Sequence, residues 1–275
     1  MALLPIIALD LFLFVCPMLV MGAVSLLRVR EFEISSQLTL ANYAFFLGKW
    51  IYLRVLLKTI FIALMVTVIC LLLGFPFAYF LLRVPRRWQR TVMVLVIMPF
   101  WTSYLLRVYA WMTILGERGL INRGLMLVGI LNEPVTFLLY NNFAVVLVSV
   151  YIHLVYSVLA LYATLERLDF SLVNAAMDLG ASPVQAFRHI VLPLTLPGIL
   201  ASFVFVFIPT LGEFVTPQLV GGVEGIMIVG IVVSQLRALR FAIASAMAFV
   251  IAALVLVLLL VVRRVVNIER VFGIS

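Results

Sequence analysis

Glu213 has the surroundings least easily explained by structure alone. It stands in Pro209-Thr210-Leu211-Gly212-Glu213-Phe214-Val215-Thr216-Pro217, late in a long apolar run. A charged group at mid-bilayer costs about 2.5–3.5 kcal/mol on insertion scales, and such groups mark ion or substrate routes. The glycine and two prolines around it predict interrupted helix, which a membrane tolerates where backbone lines a cavity. Three roles fit: ligand for a cationic solute, partner for Arg107, or a side chain at the outer interface. Arg107 lies in another apolar stretch with Trp101, Tyr104, Tyr109 and Trp111. An arginine in a span pairs or faces the bundle interior, whereas Trp111 fits an aromatic belt at the interface. Asp10 lies near one end of the first apolar run, where headgroups, water or a polar contact inside a complex suit it.

Other chemistries lack their residues. No G-x-x-x-x-G-K-[ST] loop is present, and Gly48-Lys49-Trp50 lacks the context of one, so ATP hydrolysis is not expected of this chain. No nucleophile–base pair, zinc motif or dinucleotide fingerprint occurs. His153 has no second ligand at metal spacing and reads as a hydrogen-bonded helix histidine. Cys16 and Cys70 each sit in an apolar run and read as small apolar side chains. The expectation is therefore no catalytic residue, no metal and no bound cofactor.

The elements that must hold these groups are membrane helices. Of 275 residues, 66% are hydrophobic and 11% charged, with a mean hydropathy of +1.29, against roughly 25% charged in soluble domains. The net charge of +8 is better explained by arginines at span ends, near anionic lipid, than by nucleic acid. Met1 to Leu9 carries no basic residue and Asp10 interrupts early, so the first run is expected to remain as a span. Six spans are expected: about 6–27, 52–82, 91–115, 143–165, a fifth from about 192 interrupted by Pro197, Pro209 and Pro217, and 241–262. Residues 28–50 read as a loop with a short helix near 42–46, 116–142 as a polar loop, and Ile226 to Leu236 as an apolar piece too short to span. Arg83, Arg86, Arg87 and Arg90 crowd one turn without an acid, which places that turn in the cytoplasm. By alternation both chain ends are cytoplasmic as well. The organisation is an N-terminal helix and periplasmic loop over 1–50, a transmembrane core over 51–264 and a tail over 265–275.

The main polar island of the second half runs from Asp169 to Pro197. Asp169 or Ser171 can cap a short helix that Gly180 ends, because glycine tolerates the left-handed conformation of a C-terminal cap. Ser182 can cap a second helix with Pro183 at its first position. Ala175, Ala176 and Gly180 would let another backbone approach, and Phe187 and Ile190 can anchor on the protein's body or on a partner. The same signals also fit a solvated linker with two helical turns.

The spacing of this island resembles a known pattern. Asn174-Ala175-Ala176-Met177-Asp178-Leu179-Gly180-Ala181, then Phe187-Arg188-His189-Ile190-Val191-Leu192-Pro193, looks like the "EAA" cytoplasmic loop of ABC-importer membrane subunits. Asn174 stands where the family has an acid, which puts a charge contact there in doubt; Asn still offers hydrogen bonds. Pro99-Phe100-Trp101-Thr102-Ser103-Tyr104-Leu105-Leu106-Arg107-Val108-Tyr109 is similar to the third span of spermidine/putrescine permeases, and Gly212 to Gly222 also resembles that group. The likeness covers roughly 46–264. It implies an all-α fold of six transmembrane helices with a cytoplasmic helix-turn-helix coupling loop over 166–193, the type I importer permease architecture, in the bacterial inner membrane. It further implies a heterodimer with a second permease, two ATPase chains carrying ATP and Mg, and a periplasmic binding protein that delivers a polyamine, a polycation whose path aromatic faces and carboxylates should line, with Glu213, Trp101, Tyr104 and Asp10 as the candidates. In the family the loop inserts into a cleft of the ATPase and transmits its closure by alternating access. A related importer for an opine, an amino-acid-like compound or a metal chelate is the alternative. A stand-alone secondary transporter would need ion sites and inverted repeats, neither of which is evident, and an intramembrane enzyme would need paired catalytic groups.

Overall fold

The computed structural model describes residues 4–30 and 33–265. Helix α1 is Leu4–Ser25, followed by an antiparallel hairpin, β1 Leu27–Arg30 and β2 Glu33–Leu38. Next come α2 Ala41–Gly48, α3 Trp50–Leu81, α4 Arg86–Ile97, a 3-10 turn over Met98–Trp101, α5 Tyr104–Leu115 and α6 Leu120–Leu127. The second half has α7 Asn142–Leu165, α8 Ser171–Asp178, α9 Pro183–Ala186, a π-helical turn over Phe187–Val191 and α10 Leu192–Leu211. The order ends with α11 Val215–Val220, α12 Ile228–Arg237 and α13 Phe241–Val265. Helices dominate because hydrocarbon offers no water to backbone donors and acceptors, so each span must bond them internally.

Among the described residues four helices are long and apolar enough to cross a membrane: Trp50–Leu81, Asn142–Leu165, Pro183–Leu211 and Phe241–Arg264. The pair Arg86–Trp101 and Tyr104–Leu127, bent by 92°, can count as a fifth. The remaining expected span is α1, 22 residues long. The expected single span over 91–115 is corrected to a bent one. Pro99 supplies no donor, and the chain tightens into a 3-10 turn in which Thr102 Oγ1 donates to the Pro99 carbonyl at 2.7 Å. The fifth span departs from expectation in the other direction. Pro197 and Pro209 sit inside α10, the interruption falls at Gly212, and Pro217 belongs to α11. The loop expected over 28–50 carries the β-hairpin as well as α2, and the loop after 116 contains α6.

The chain forms two compact units. The first comprises Met1–Thr59 and Ile226–Leu260. In it Asn42 of α2 donates to the Ser25 and Leu27 carbonyls at 2.8 and 2.9 Å, closing the end of α1, and the Ser25 and Tyr43 hydroxyls lie 2.7 Å apart. The Thr59 hydroxyl accepts the Ile228 amide at 2.9 Å, satisfying an orphan donor where α12 begins.

The second unit comprises Ile60–Gly225 and Val261–Ser275. Its centre is α7, packed against α3 and α10. Ser157 of α7 donates to the Cys70 carbonyl of α3 at 3.0 Å and accepts from Ser202 of α10 at 2.7 Å. Small residues let the helices close this tightly, as expected where lipid gives little hydrophobic drive to helix association. A Cβ on Gly74 would lie 2.8 Å from Ser157 Oγ, and one on Gly198 would lie 2.4 Å from Thr164 Oγ1 and 2.6 Å from Thr164 Cβ. Ala78, Leu161, Leu165 and Val191 are buried together at one end of this bundle, with Phe75, Tyr79 and Val173 packed on them.

Gly198→Val should therefore force α10 off α7. The expected destabilisation is about 1–3 kcal/mol, the usual cost of overpacking, read as a lowered thermal unfolding midpoint in detergent. A midpoint equal to wild type would show that the α7–α10 contact is slack at Thr164.

Candidate functional site

The polar island folds as two short helices around a glycine turn, and local chemistry accounts for each step. Asp169 accepts the Ser171 amide at 2.9 Å, so its carboxylate, rather than a side chain at Phe170, serves the start of α8. That bond holds the Asp169 carboxyl below its usual range. Gly180 has φ +92°, and the Gly180 and Ala181 amides return to the Met177 and Ala176 carbonyls at 3.0 Å each. These are paired C-terminal capping bonds that a left-handed residue permits. Ser182 and Gln185 then cap α9 reciprocally: the Gln185 amide donates to Ser182 Oγ at 3.3 Å, and the Ser182 amide to Gln185 Oε1 at 2.8 Å.

Phe187 packs on the protein's own surface and stays 36% exposed. Its ring meets Phe75 edge-on at 5.7 Å and Tyr79 at 6.3 Å, both on α3. Ile190 is half-buried beside fully buried Val191. Asn174, Ala175, Asp178, Gly180 and Pro193 are exposed, while Ala176 and Ala181 are half-buried. At the tip of the turn, Leu179 is 90% exposed and Val184 74%. These two apolar side chains are missing from the residues singled out from sequence. Their signal is there, as apolar residues that flank the glycine turn inside a polar stretch.

The interrupted spans meet around Glu213. Between α10 and α11, its carboxylate turns inward and is 8% exposed. Tyr104, the first residue of α5 after the bend, and Thr216, in the first turn of α11, both donate to Glu213 Oε1. Ser149 of α7 donates to Oε2 at 3.1 Å. The Ser149 carbonyl lies 2.8 Å from Nδ1 of His153, one turn along the same helix. Three hydroxyls from three helices thus converge on one carboxylate, and no lysine or arginine is among its partners in the described residues. Thr216 is readable as the i+3 neighbour of Glu213; Ser149, 64 residues away, carries no local signal.

Arg107 takes none of the alternatives that involve Glu213. Its guanidinium lies 5.1 Å from the Phe100 ring, whose edge meets Tyr156 at 5.0 Å, and its Nε is buried without a hydrogen-bond partner. Trp111 packs edge-on against Tyr151 at 5.3 Å. Trp101, at the bend, is 77% exposed and has no place beside Glu213. Asp10 lies in α1, but its side chain is outside the described residues. A cavity of about 640 Å³ adjoins the root of the helix-turn-helix, lined by Thr164, Arg167, Asp169, Leu172, Pro197 and Phe205 among others.

Comparison with known proteins fits this geometry. The family model for the binding-protein-dependent transport system inner membrane component matches residues 71–268. The chain is 37% identical over 232 residues to the spermidine/putrescine transport system permease protein PotB of Salmonella typhimurium, covering 84% of this chain and 80% of that one. It is 36% identical over 232 residues to PotB of Escherichia coli K12, covering 84% of each. In fold it is similar to a chain of a bacterial alginate ABC transporter solved with an alginate pentasaccharide-bound periplasmic protein, at a TM-score of 0.72 and 19% identity over 97% of this chain and 92% of that one. With the transmembrane helices and their central packing in place, the chain belongs to the family of binding-protein-dependent transport system inner membrane components: it is a permease subunit of an ABC importer.

Proposed function

We propose that this permease carries a polyamine of the spermidine/putrescine type across the bacterial inner membrane, driven by a separate ATPase. The observation that carries the coupling is the exposed tip of the helix-turn-helix, where Leu179 and Val184 project from a turn braced behind by Phe187 on Phe75 and Tyr79. Apolar side chains held out on a rigid turn fit insertion into a cleft of another protein. Asn174, Ala175, Ala176, Asp178, Gly180 and Ala181 complete that contact; Phe187, Ile190 and Pro193 pass its movement into α3, α7 and α10. The ATPase acts as a pair of chains that hold ATP and Mg. A second permease forms the heterodimer, and a periplasmic binding protein delivers the solute. In this arrangement the loop, the arginine turn over 83–90 and both termini face the cytoplasm.

The likeness to PotB over 84% of the chain supports the polyamine. So does Glu213, a buried carboxylate whose donors among the described residues are hydroxyls, since a mobile cation offers what those partners do not. Glu213 and Tyr104 line the solute's path when the spans reorient and the hydroxyls release the carboxylate; Trp101 and Asp10 are reached before or after that point.

Two experiments test the two halves of this reading. Leu179→Asp, at the 90% exposed tip of the turn, should leave the protein folded and abolish co-purification of the ATPase expressed with it; a complex retained at wild-type yield would remove the turn from the contact. Glu213→Gln should cut polyamine uptake by about tenfold, the effect of losing about 1.4 kcal/mol of interaction, while ATPase binding survives. Wild-type uptake kinetics in that variant would take Glu213 out of the path.

A further inference from the structure

A second charged region, unrelated to the solute's path, lies where α3 gives way to α4. Arg86, Arg87 and Arg90 line a cavity of about 580 Å³ together with Gln89, Met93, Tyr162 and Glu166. Its floor is fixed. Gln89 Nε2 donates to the Leu82 and Val84 carbonyls at 3.2 and 2.7 Å, and Gln89 Oε1 accepts the Tyr162 hydroxyl at 3.2 Å. Arg83, next along the turn, is already engaged: it donates to the Tyr79 hydroxyl at 3.0 Å and lies 4.9 Å from that ring. The three cavity arginines have no hydrogen-bond or ion-pair partner among the described residues. With one acid, Glu166, in the lining, the formal charge of the cavity is three minus one, or +2.

The face that carries these arginines changes character along α4. Arg86, Arg90, Met93, Val94 and Ile97 recur at i, i+4, i+7, i+8 and i+11, one stripe of a helix. The stripe is basic at its start and apolar beyond, with Met93 in the cavity wall and Val94 51% exposed. From Arg90 to Ile97 it runs about 10 Å. Trp88, 52% exposed, sits at the level of the arginines, the depth tryptophan favours at a membrane interface. A ligand matching this surface has a phosphate at one end and hydrocarbon at the other.

We propose that this cavity is a binding site for an anionic phospholipid, with the headgroup phosphate held by Arg86, Arg87 and Arg90 and the acyl chains laid along Met93, Val94 and Ile97. Guanidinium forks suit phosphate oxygens, and basic pockets between membrane helices bind such headgroups. The site also links α4 to α7 through Gln89 and Tyr162, so an occupied cavity holds the bent third span against the centre of the bundle.

The test uses the full-length protein in detergent, titrated with phosphatidylglycerol, with phosphatidylethanolamine of the same acyl chains, and with inorganic phosphate, bound lipid being counted by native mass spectrometry. Phosphatidylglycerol should bind about thirtyfold tighter than phosphatidylethanolamine, the effect of two net charges at a lipid surface. R86Q/R87Q/R90Q should abolish that preference. Because these arginines can also orient the chain in the membrane, a second variant leaves them in place: E166Q should tighten phosphatidylglycerol about fivefold, the effect of one further net charge. A wild-type protein indifferent to headgroup charge, an R86Q/R87Q/R90Q protein that keeps the preference, or an E166Q protein with no gain overturns the proposal. So does displacement of the lipid by an equal concentration of inorganic phosphate, which would mark a site for the free ion. A wild-type protein without lipid preference that sheds a co-purified ATPase on R86Q/R87Q/R90Q would assign the arginines to an acidic protein surface instead.

Discussion

Ser157 carries the contact on which the rest of the second unit depends. In hydrocarbon, association between helices gains little from the hydrophobic effect, and close backbone approach with a few hydroxyl bonds must supply what water would otherwise drive. Ser157 receives Ser202 from α10 and gives its proton to the Cys70 carbonyl of α3, so one side chain on α7 ties both neighbours. Gly74 and Gly198 lie opposite Ser157 and Thr164 with no room for a side chain. Around this axis the protein can afford interrupted helices elsewhere, because the three continuous ones hold their spacing.

The two interruptions are handled by different means. At the bend after α4 the freed backbone is taken up locally, by a 3-10 turn and by Thr102 on the Pro99 carbonyl. At Gly212 the chain places a carboxylate, and the donors come from elsewhere: Tyr104 from the far side of the bend, Ser149 from α7 and Thr216 from the next short helix. Glu213 therefore joins both interruptions to the central helix. That position suits a group whose partners change when spans move, since among the described residues every donor is a hydroxyl that rotates and none is a fixed countercharge.

Much of the helix-turn-helix is legible in the sequence because its signals are local. Gly180, Ser182 and Pro183 specify a left-handed cap and a helix start within four residues, and the structure puts them at those positions. The family resemblance rests on the same stretch. Long-range facts are harder to read. Nothing near Arg107 announces that it will lie over Phe100 rather than against Glu213, because that choice depends on the 92° bend between them in the chain. Proline by itself does not decide a break: Pro99 sits at one, whereas Pro197 and Pro209 lie within α10, where neighbouring helices can absorb a missing donor. The hairpin over 27–38 eluded a reading based on composition, since its residues are mixed in charge, the alternation of Leu27–Arg30 lasts only four residues and Glu33–Leu38 does not alternate cleanly.

The π-helical turn over Phe187–Val191 separates α9 from α10. A π turn holds one residue more than an α turn, and one residue is about 100° of rotation in a helix. Ala186 and Val191 are buried, and so are Thr195, Gly198 and Ser202 along α10, so the faces before and after the turn each meet their own neighbours only because that extra residue resets the phase. Chain length in this stretch is thus a fixed quantity in a way that side-chain identity is not. Removing one residue here would keep every helix and every apolar position, yet would swing the Leu179 tip about a quarter-turn around the axis of α10, like a key cut correctly but set wrongly on its shaft.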